Sequence, residues 1–105
     1  MAFIEFSRGV EEVPTQVRLL KSKNSDRGSA IFRFETLKTP TNDLYGMRMV
    51  DSEGEIVCRE LRAKYINGQF AALEVIYEMA NQSEWDRFMR FMQEFSASNN
   101  MGMNG

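Results

Sequence analysis

Few side chains in this sequence have chemistry to offer, and each has a plainer explanation beside it. Cys58 is the single cysteine and histidine is absent, so no imidazole can deprotonate the thiol. The commonest general base and the commonest metal ligand are missing together. One cysteine also closes no intrachain disulfide, which leaves packing to hold the fold. Asp51, Glu53 and Glu55 alternate around Gly54 and form an oxygen-rich set. Their spacing departs from the D-x-[DN]-x-[DN]-G-x5-E loop that wraps calcium, and a solvated turn accounts for them. Glu60 and Glu74 could face each other across two strands, but paired acids form an acid–base couple only where the surroundings separate their pKa values. No glycine-rich phosphate loop is present.

Two cationic features remain. Arg18, Lys21, Lys23 and Arg27 precede Phe32 and Phe34, so a positive track followed by aromatic platforms suggests a sheet-based single-stranded nucleic-acid-binding module as an alternative function. Against it stands the balance of 13 Lys+Arg to 15 Asp+Glu, a net charge of −2; a solvated or partner-steering patch is the other reading. Arg59 falls among apolar neighbours, where either a bulge turns it outward or its stem is buried and its head meets a carboxylate. Eight methionines are a surplus; such soft side chains fill irregular cores or make adaptable partner surfaces.

The elements that must position these groups follow from periodicity. With 105 residues, 43% of them hydrophobic, there is room for one compact domain. Ala2, Ile4 and Phe6 alternate with Phe3 and Glu5 in a first strand ended by Arg8-Gly9, and Glu11 to Pro14 is a polar connection. Thr15 to Ser22 and Ala30 to Phe34 form a hairpin around the turn-forming Lys23 to Gly28. Leu44 to Met79 reads as a three-stranded meander if Ser52-Glu53-Gly54 and Ile66-Asn67-Gly68 are three-residue loops closed by a left-handed glycine. Tyr45, Met47 and Met49 then oppose Leu61, Arg59 and Val57, and Val57, Leu61 and Ala63 oppose Tyr77, Leu73 and Ala71. A two-residue Asn67-Gly68 turn would instead set Leu73 and Val75 beside charged Arg62 and Glu60.

From Asn81 the period becomes helical, with Trp85, Phe88, Met89, Met92 and Phe95 on one stripe and Asp86, Arg87, Arg90, Gln93 and Glu94 opposite; Ser83 and Asp86 resemble a capping box. Residues 1–96 form the domain and 97–105 a flexible tail. The fold class is α+β: a small antiparallel sandwich or meander of about five or six strands with a C-terminal amphipathic helix packed on it. No secretory signal is visible at the start and no ~18-residue apolar run occurs, so membrane contact is expected to be peripheral.

On the meander's second face Val50, Ile56, Cys58 and Ile76 mix with Arg48, Arg62 and Glu74. Such a face is a docking surface, with area for affinity and charge for orientation, or a second buried layer beneath the N-terminal strands. The partner-contact candidates are Arg48, Ile56, Arg62 and Ile76 on this face, Arg87 and Phe91 on the helix, and Met101 and Met103 in the tail. Phe91 also has a reading as an edge-of-core aromatic.

Several short segments, in order, carry a family likeness: Phe6-Ser7-Arg8-Gly9, Gly46-Met47 leading into Asp51-Ser52-Glu53-Gly54-Glu55-Ile56, Asn67-Gly68, and above all Trp85-Asp86-Arg87-Phe88-Met89-Arg90-Phe91-Met92. From residue 3 to about residue 95 the chain resembles the thirteen-kilodalton photosystem II assembly factors, the Psb number twenty-eight family. Leu37 to Asp43 and Ser96 to Gly105 match less closely, in the manner of a divergent second copy. The resemblance implies a small antiparallel sheet with a helix, no cofactor, no metal and no catalysis. It implies a peripheral, cytoplasmic or stromal position at the thylakoid membrane. It implies transient binding to photosystem II core subunits, the reaction-centre proteins and the forty-seven-kilodalton antenna protein, with strand addition to a sheet edge as the family's mode. With no transit segment visible, the resemblance implies a cyanobacterial or plastid-made chain, or a mature form.

Overall fold

A computed structural model describes residues 1–99. It contains eight strands, β1 (Phe3–Ser7), β2 (Val10–Glu12), β3 (Gln16–Lys21), β4 (Gly28–Phe34), β5 (Met47–Asp51), β6 (Gly54–Cys58), β7 (Leu61–Ile66) and β8 (Gln69–Met79), followed by one helix, α1 (Gln82–Asn99). The α+β class is as expected, with the strands more numerous and divided between two four-stranded antiparallel sheets ordered β2-β1-β5-β6 and β3-β4-β8-β7. Each sheet is two sequence-local hairpins joined by one distant pairing, β1 with β5 and β4 with β8.

The chain leaves the first sheet for the second between Cys58 and Leu61. Arg59 and Glu60 belong to no strand, and the Glu60 carbonyl still accepts the Ile76 N–H at 3.1 Å, so the sheets abut at this crossing. The break turns Arg59 outward into an exposed position, in line with the first of its two readings. It also replaces the single meander. In the β5–β6 hairpin Asp51 pairs with Gly54 and Met49 with Ile56, a two-residue turn one step out of the three-residue register. That step exchanges faces: Cys58 and Ile56 turn inward opposite Met47 and Met49, while Val57 is 39% exposed.

In the β7–β8 hairpin Ile66 pairs with Gln69 across Asn67 (φ 52°) and Gly68 (φ 78°). Two successive positive φ values define the type I′ turn that Asn-Gly favours. Leu61 pairs with Val75 and Ala63 with Leu73, two residues beyond the expected Leu73 and Ala71, because a bulge between Lys64 and Tyr65 adds a further step; an even shift leaves each side chain on its expected face. The facing pattern was therefore legible but the turn was misread. Beyond Leu61, all of β7 is exposed.

The core lies between the inner sheet faces and α1. Phe32, Phe34, Met47, Met49, Val75 and Met79 meet Phe88, Phe91, Met92 and Phe95 there. Burying those four helix side chains contributes roughly 6–12 kcal/mol before entropy is subtracted. Phe91 is wholly enclosed, its ring stacked on Phe95 at 5.5 Å and near Phe88 at 6.5 Å, so it offers nothing to a partner. The helix cap is set two residues earlier than Ser83 and Asp86: Asn81 Oδ1 accepts the Glu84 N–H at 2.9 Å and Glu84 Oε1 accepts the Ala80 N–H at 2.7 Å. The helix runs past residue 96 to Asn99, where the Ala2 N–H reaches Ser98 Oγ at 3.4 Å.

Candidate partner-docking surface

The polar side of α1 is spoken for by the first sheet. Arg87 donates two hydrogen bonds to Asp51, at 2.7 and 2.8 Å, and Arg90 two to Glu53, at 2.7 and 3.1 Å; Glu94 accepts from the Ser52 hydroxyl at 2.9 Å and meets the Met1 ammonium at 2.9 Å. A ladder at helix positions i, i+3 and i+7 thus clamps the β5–β6 turn. The Asp51 carboxylate is 1% exposed, and the Arg87 hydrogen bonds hold it below the usual carboxylate range against the opposing effect of burial. Asp51 is a structural anchor, whereas its sequence spacing had suggested a solvated turn. Arg87 is committed to it.

The other candidates divide between two surfaces. Arg48 lies on the outer face of the first sheet, bridging Glu5 and Glu55. Ile56 faces inward, half-buried against the core. Arg62 and Ile76 do share a face, the outer side of the second sheet: Arg62 pairs with Glu74 and Ile76 with Ile31. Arg62 is exposed and bonded to Glu60 at 2.8 Å. Glu74 is central here, held by Arg33 at 2.9 Å and Lys64 at 3.2 Å, and its carboxyl is kept low by Lys64 first. Gln16, Arg18, Ile31 and Arg33 complete a groove of about 420 Å³ beside it. Met101 and Met103 lie outside the described residues.

The result is a mixed face of Ile31 and Ile76 ringed by paired charge, ending at the uncovered outer edge of β7. Tyr65 (55% exposed) and Ile66 (66%) extend this edge as an apolar tip. Sequence patterning missed that tip because it assigned β7 to the core; the Asn67-Gly68 turn was the available signal. No cluster of metal-ligating groups occurs among the described residues. The Cys58 thiol is buried, its pKa pushed up by desolvation, with Sγ 3.0 Å from the Ile76 carbonyl oxygen, so it stays protonated and unreactive. Phe32 and Phe34 are 0% exposed, which removes the stacking platforms of the nucleic-acid reading.

Fold and surface together define a small two-sheet α+β domain with free strand edges and one helix clamped by ion pairs. The family model described as Psb28 protein matches residues 4–103. The chain is 64% identical over 103 residues, covering 98% of it and 99% of the relative, to the photosystem II reaction center Psb28 protein of Synechococcus sp. (strain JA-2-3B'a(2-13)). It is 49% identical to the protein of that name in Crocosphaera subtropica, covering 97% and 96% of the two chains, and 46% identical to that of Nostoc punctiforme, covering 98% and 96%. The chain belongs to the Psb28 family of photosystem II proteins. The matched span runs through 37–43 and reaches residue 103. No helix among the described residues is long and apolar enough to cross a membrane.

Proposed function

We propose that this chain is a non-enzymatic assembly factor of photosystem II. It docks peripherally on the cytoplasmic or stromal side of reaction-centre assembly intermediates, near the forty-seven-kilodalton antenna protein. The observation that carries the reading is the uncovered β7 edge beside the outer face of the second sheet. A free edge offers unpaired backbone donors and acceptors to an added strand, and side chains at alternate positions select it. Arg62 and Ile76 stand next to that edge and supply charge and area. Arg62→Glu combined with Ile76→Glu tests it. A tagged wild-type chain should recover reaction-centre and antenna subunits from thylakoids in mild detergent, and the double variant should not, with stability changed by no more than about 1 kcal/mol. Recovery of no chlorophyll-binding subunit by the wild type overturns the reading. Undiminished recovery by a folded double variant moves the contact to another surface.

A further inference from the structure

The chain's cations are unevenly engaged. Arg33, Arg48, Arg62, Lys64, Arg87 and Arg90 each hold a carboxylate. The other seven of the 13 hold none among the described residues. Three of them, Lys21, Lys23 and Arg27, are exposed together at one end of the second sheet, on β3 and the β3–β4 turn, while Arg18 stands nearer mid-strand in the groove beside Glu74. Asp26 lies in the same turn, and Glu78 on β8 shares the hollow with Lys21 and Arg27. In a protein of net charge −2 this end is a positive pole.

Its surroundings are not those of a nucleic-acid track or of a closed anion pocket. Lys21, Arg27, Ser22 and Ser25 surround an open hollow of about 480 Å³ with Leu20 on its wall. Leu20 is 46% exposed. Trp85 reaches the same end from the first turns of α1. Its ring rests on Gly28, where a Cβ would come within 2.5 Å of it, and Lys21 Nζ lies 4.9 Å from the ring centroid while bonded to Gln82 at 2.8 Å. A part-exposed tryptophan and a leucine beside unpaired lysine and arginine form the combination that rests at a membrane–water boundary, the apolar groups at headgroup depth and the cations on anionic lipid. The hollow is open, which suits a layer of headgroups better than one enclosed ion.

We propose that this pole, Lys21, Lys23 and Arg27 with Leu20 and Trp85, is a contact site for anionic phospholipid headgroups. It holds this end of the protein against the bilayer in which its partner complex sits. The inference rests on the photosystem II reading for its biological setting, but its test needs no photosystem. The purified chain is mixed with vesicles of phosphatidylglycerol and phosphatidylcholine, or of phosphatidylcholine alone. Binding is followed by co-sedimentation and by fluorescence of Trp85, the only tryptophan.

Binding to the anionic vesicles alone is expected, with a blue shift of the tryptophan emission and loss at high salt. Lys23→Gln with Arg27→Gln should lower the partition coefficient by about 25-fold, near fivefold per cation removed. Arg59→Gln, an exposed cation on the sheet crossing, should change it little, and all variants should keep the wild-type melting temperature. Equal binding to both vesicle types, binding to neither, or equal losses in the two variants overturns the proposal. Displacement from vesicles by low millimolar inorganic phosphate shows a discrete phosphate site instead, and a salt-sensitive complex with a single-stranded oligonucleotide but not with vesicles restores the nucleic-acid reading; either overturns it. Failure here with intact recovery of photosystem subunits rejects the lipid contact and leaves the assembly role standing.

Discussion

Asp51→Ala should cost far more stability than Glu53→Ala, although the two acids are two residues apart and each grips an arginine of the same helix. The difference is burial. Asp51 is 1% exposed in its side chain, accepts two hydrogen bonds from Arg87 and also takes the Glu53 N–H at 3.0 Å. Its removal leaves a guanidinium only 22% exposed with Glu53, 3.8 Å from its Nε, as the remaining and looser counter-charge. Breaking a fully buried pair costs about 3–5 kcal/mol, and the partial water access of Arg87 lowers that to about 2–4 kcal/mol. At roughly 4–8 °C per kcal/mol for a domain of this size, the melting temperature should fall by on the order of 10 °C or more. Glu53 and Arg90 are both far more exposed, and water replaces much of what they lose; Glu53→Ala should barely move the transition.

Urea titrations followed by far-ultraviolet circular dichroism and by Trp85 fluorescence measure both effects. The sign of the pH dependence adds a second check. The Asp51 carboxyl binds its proton more weakly in the folded than in the unfolded chain, so the stability it supplies is present above the unfolded carboxyl pKa. It is lost as pH falls through the lower folded value. Asp51→Ala should flatten the acid limb of the stability profile and leave the neutral range parallel to wild type. Equal losses for the two variants, or an acid limb unchanged by Asp51→Ala, would refute the assignment of Asp51 as the anchor of the turn.

Phe91→Ala should lower stability by about 3–5 kcal/mol in the same titrations, because it empties a wholly enclosed ring site between Phe88 and Phe95; a near-neutral result would return Phe91 to the surface. Gly28→Ala should shift Trp85 emission and destabilise by about 1–3 kcal/mol, since the added methyl meets the indole ring at 2.5 Å; unchanged fluorescence would mean that the ring does not rest there. Cys58 should react with an aromatic disulfide reagent only on the timescale of unfolding, and at full speed in denaturant, as its burial and raised pKa require.

Alternation and helical spacing carried most of the architecture. Phe32, Phe34, Leu73 and Val75 on the core side, and Phe88, Met92 and Phe95 on the helix stripe, follow directly from periods of 2 and 3.6. What periodicity could not supply was the sheet to which each strand belongs. Arg59 and Glu60 read as a continuing strand, since nothing in their types signals a change of sheet. A one-residue difference at Ser52-Glu53 then sufficed to exchange Cys58 and Val57 between faces. Of the docking candidates, Arg62 and Ile76 were placed on one face correctly because the turn and the bulge together shift the pairing by two residues, which leaves the facing unchanged. Arg87 looked free only because its partner lies 36 residues away in the chain, beyond any local pattern.

The division of each sheet into two hairpins linked by one distant pairing has a consequence in time. Hairpins of sequence neighbours close within about 1–10 μs, and all four here are of that kind. The joins are different: Ile4 meets Met49 and Ile31 meets Ile76, each pair 45 residues apart. Closure over such distances puts folding in the millisecond-to-second regime of sandwich proteins. Because β6 runs into β7 across Arg59 and Glu60, neither join can settle without drawing the other's hairpin into place, and the helix has no complete bed until both have formed. A newly made chain therefore passes through a window in which four hairpins share no core, and that window closes only when β1 has met β5 and β4 has met β8.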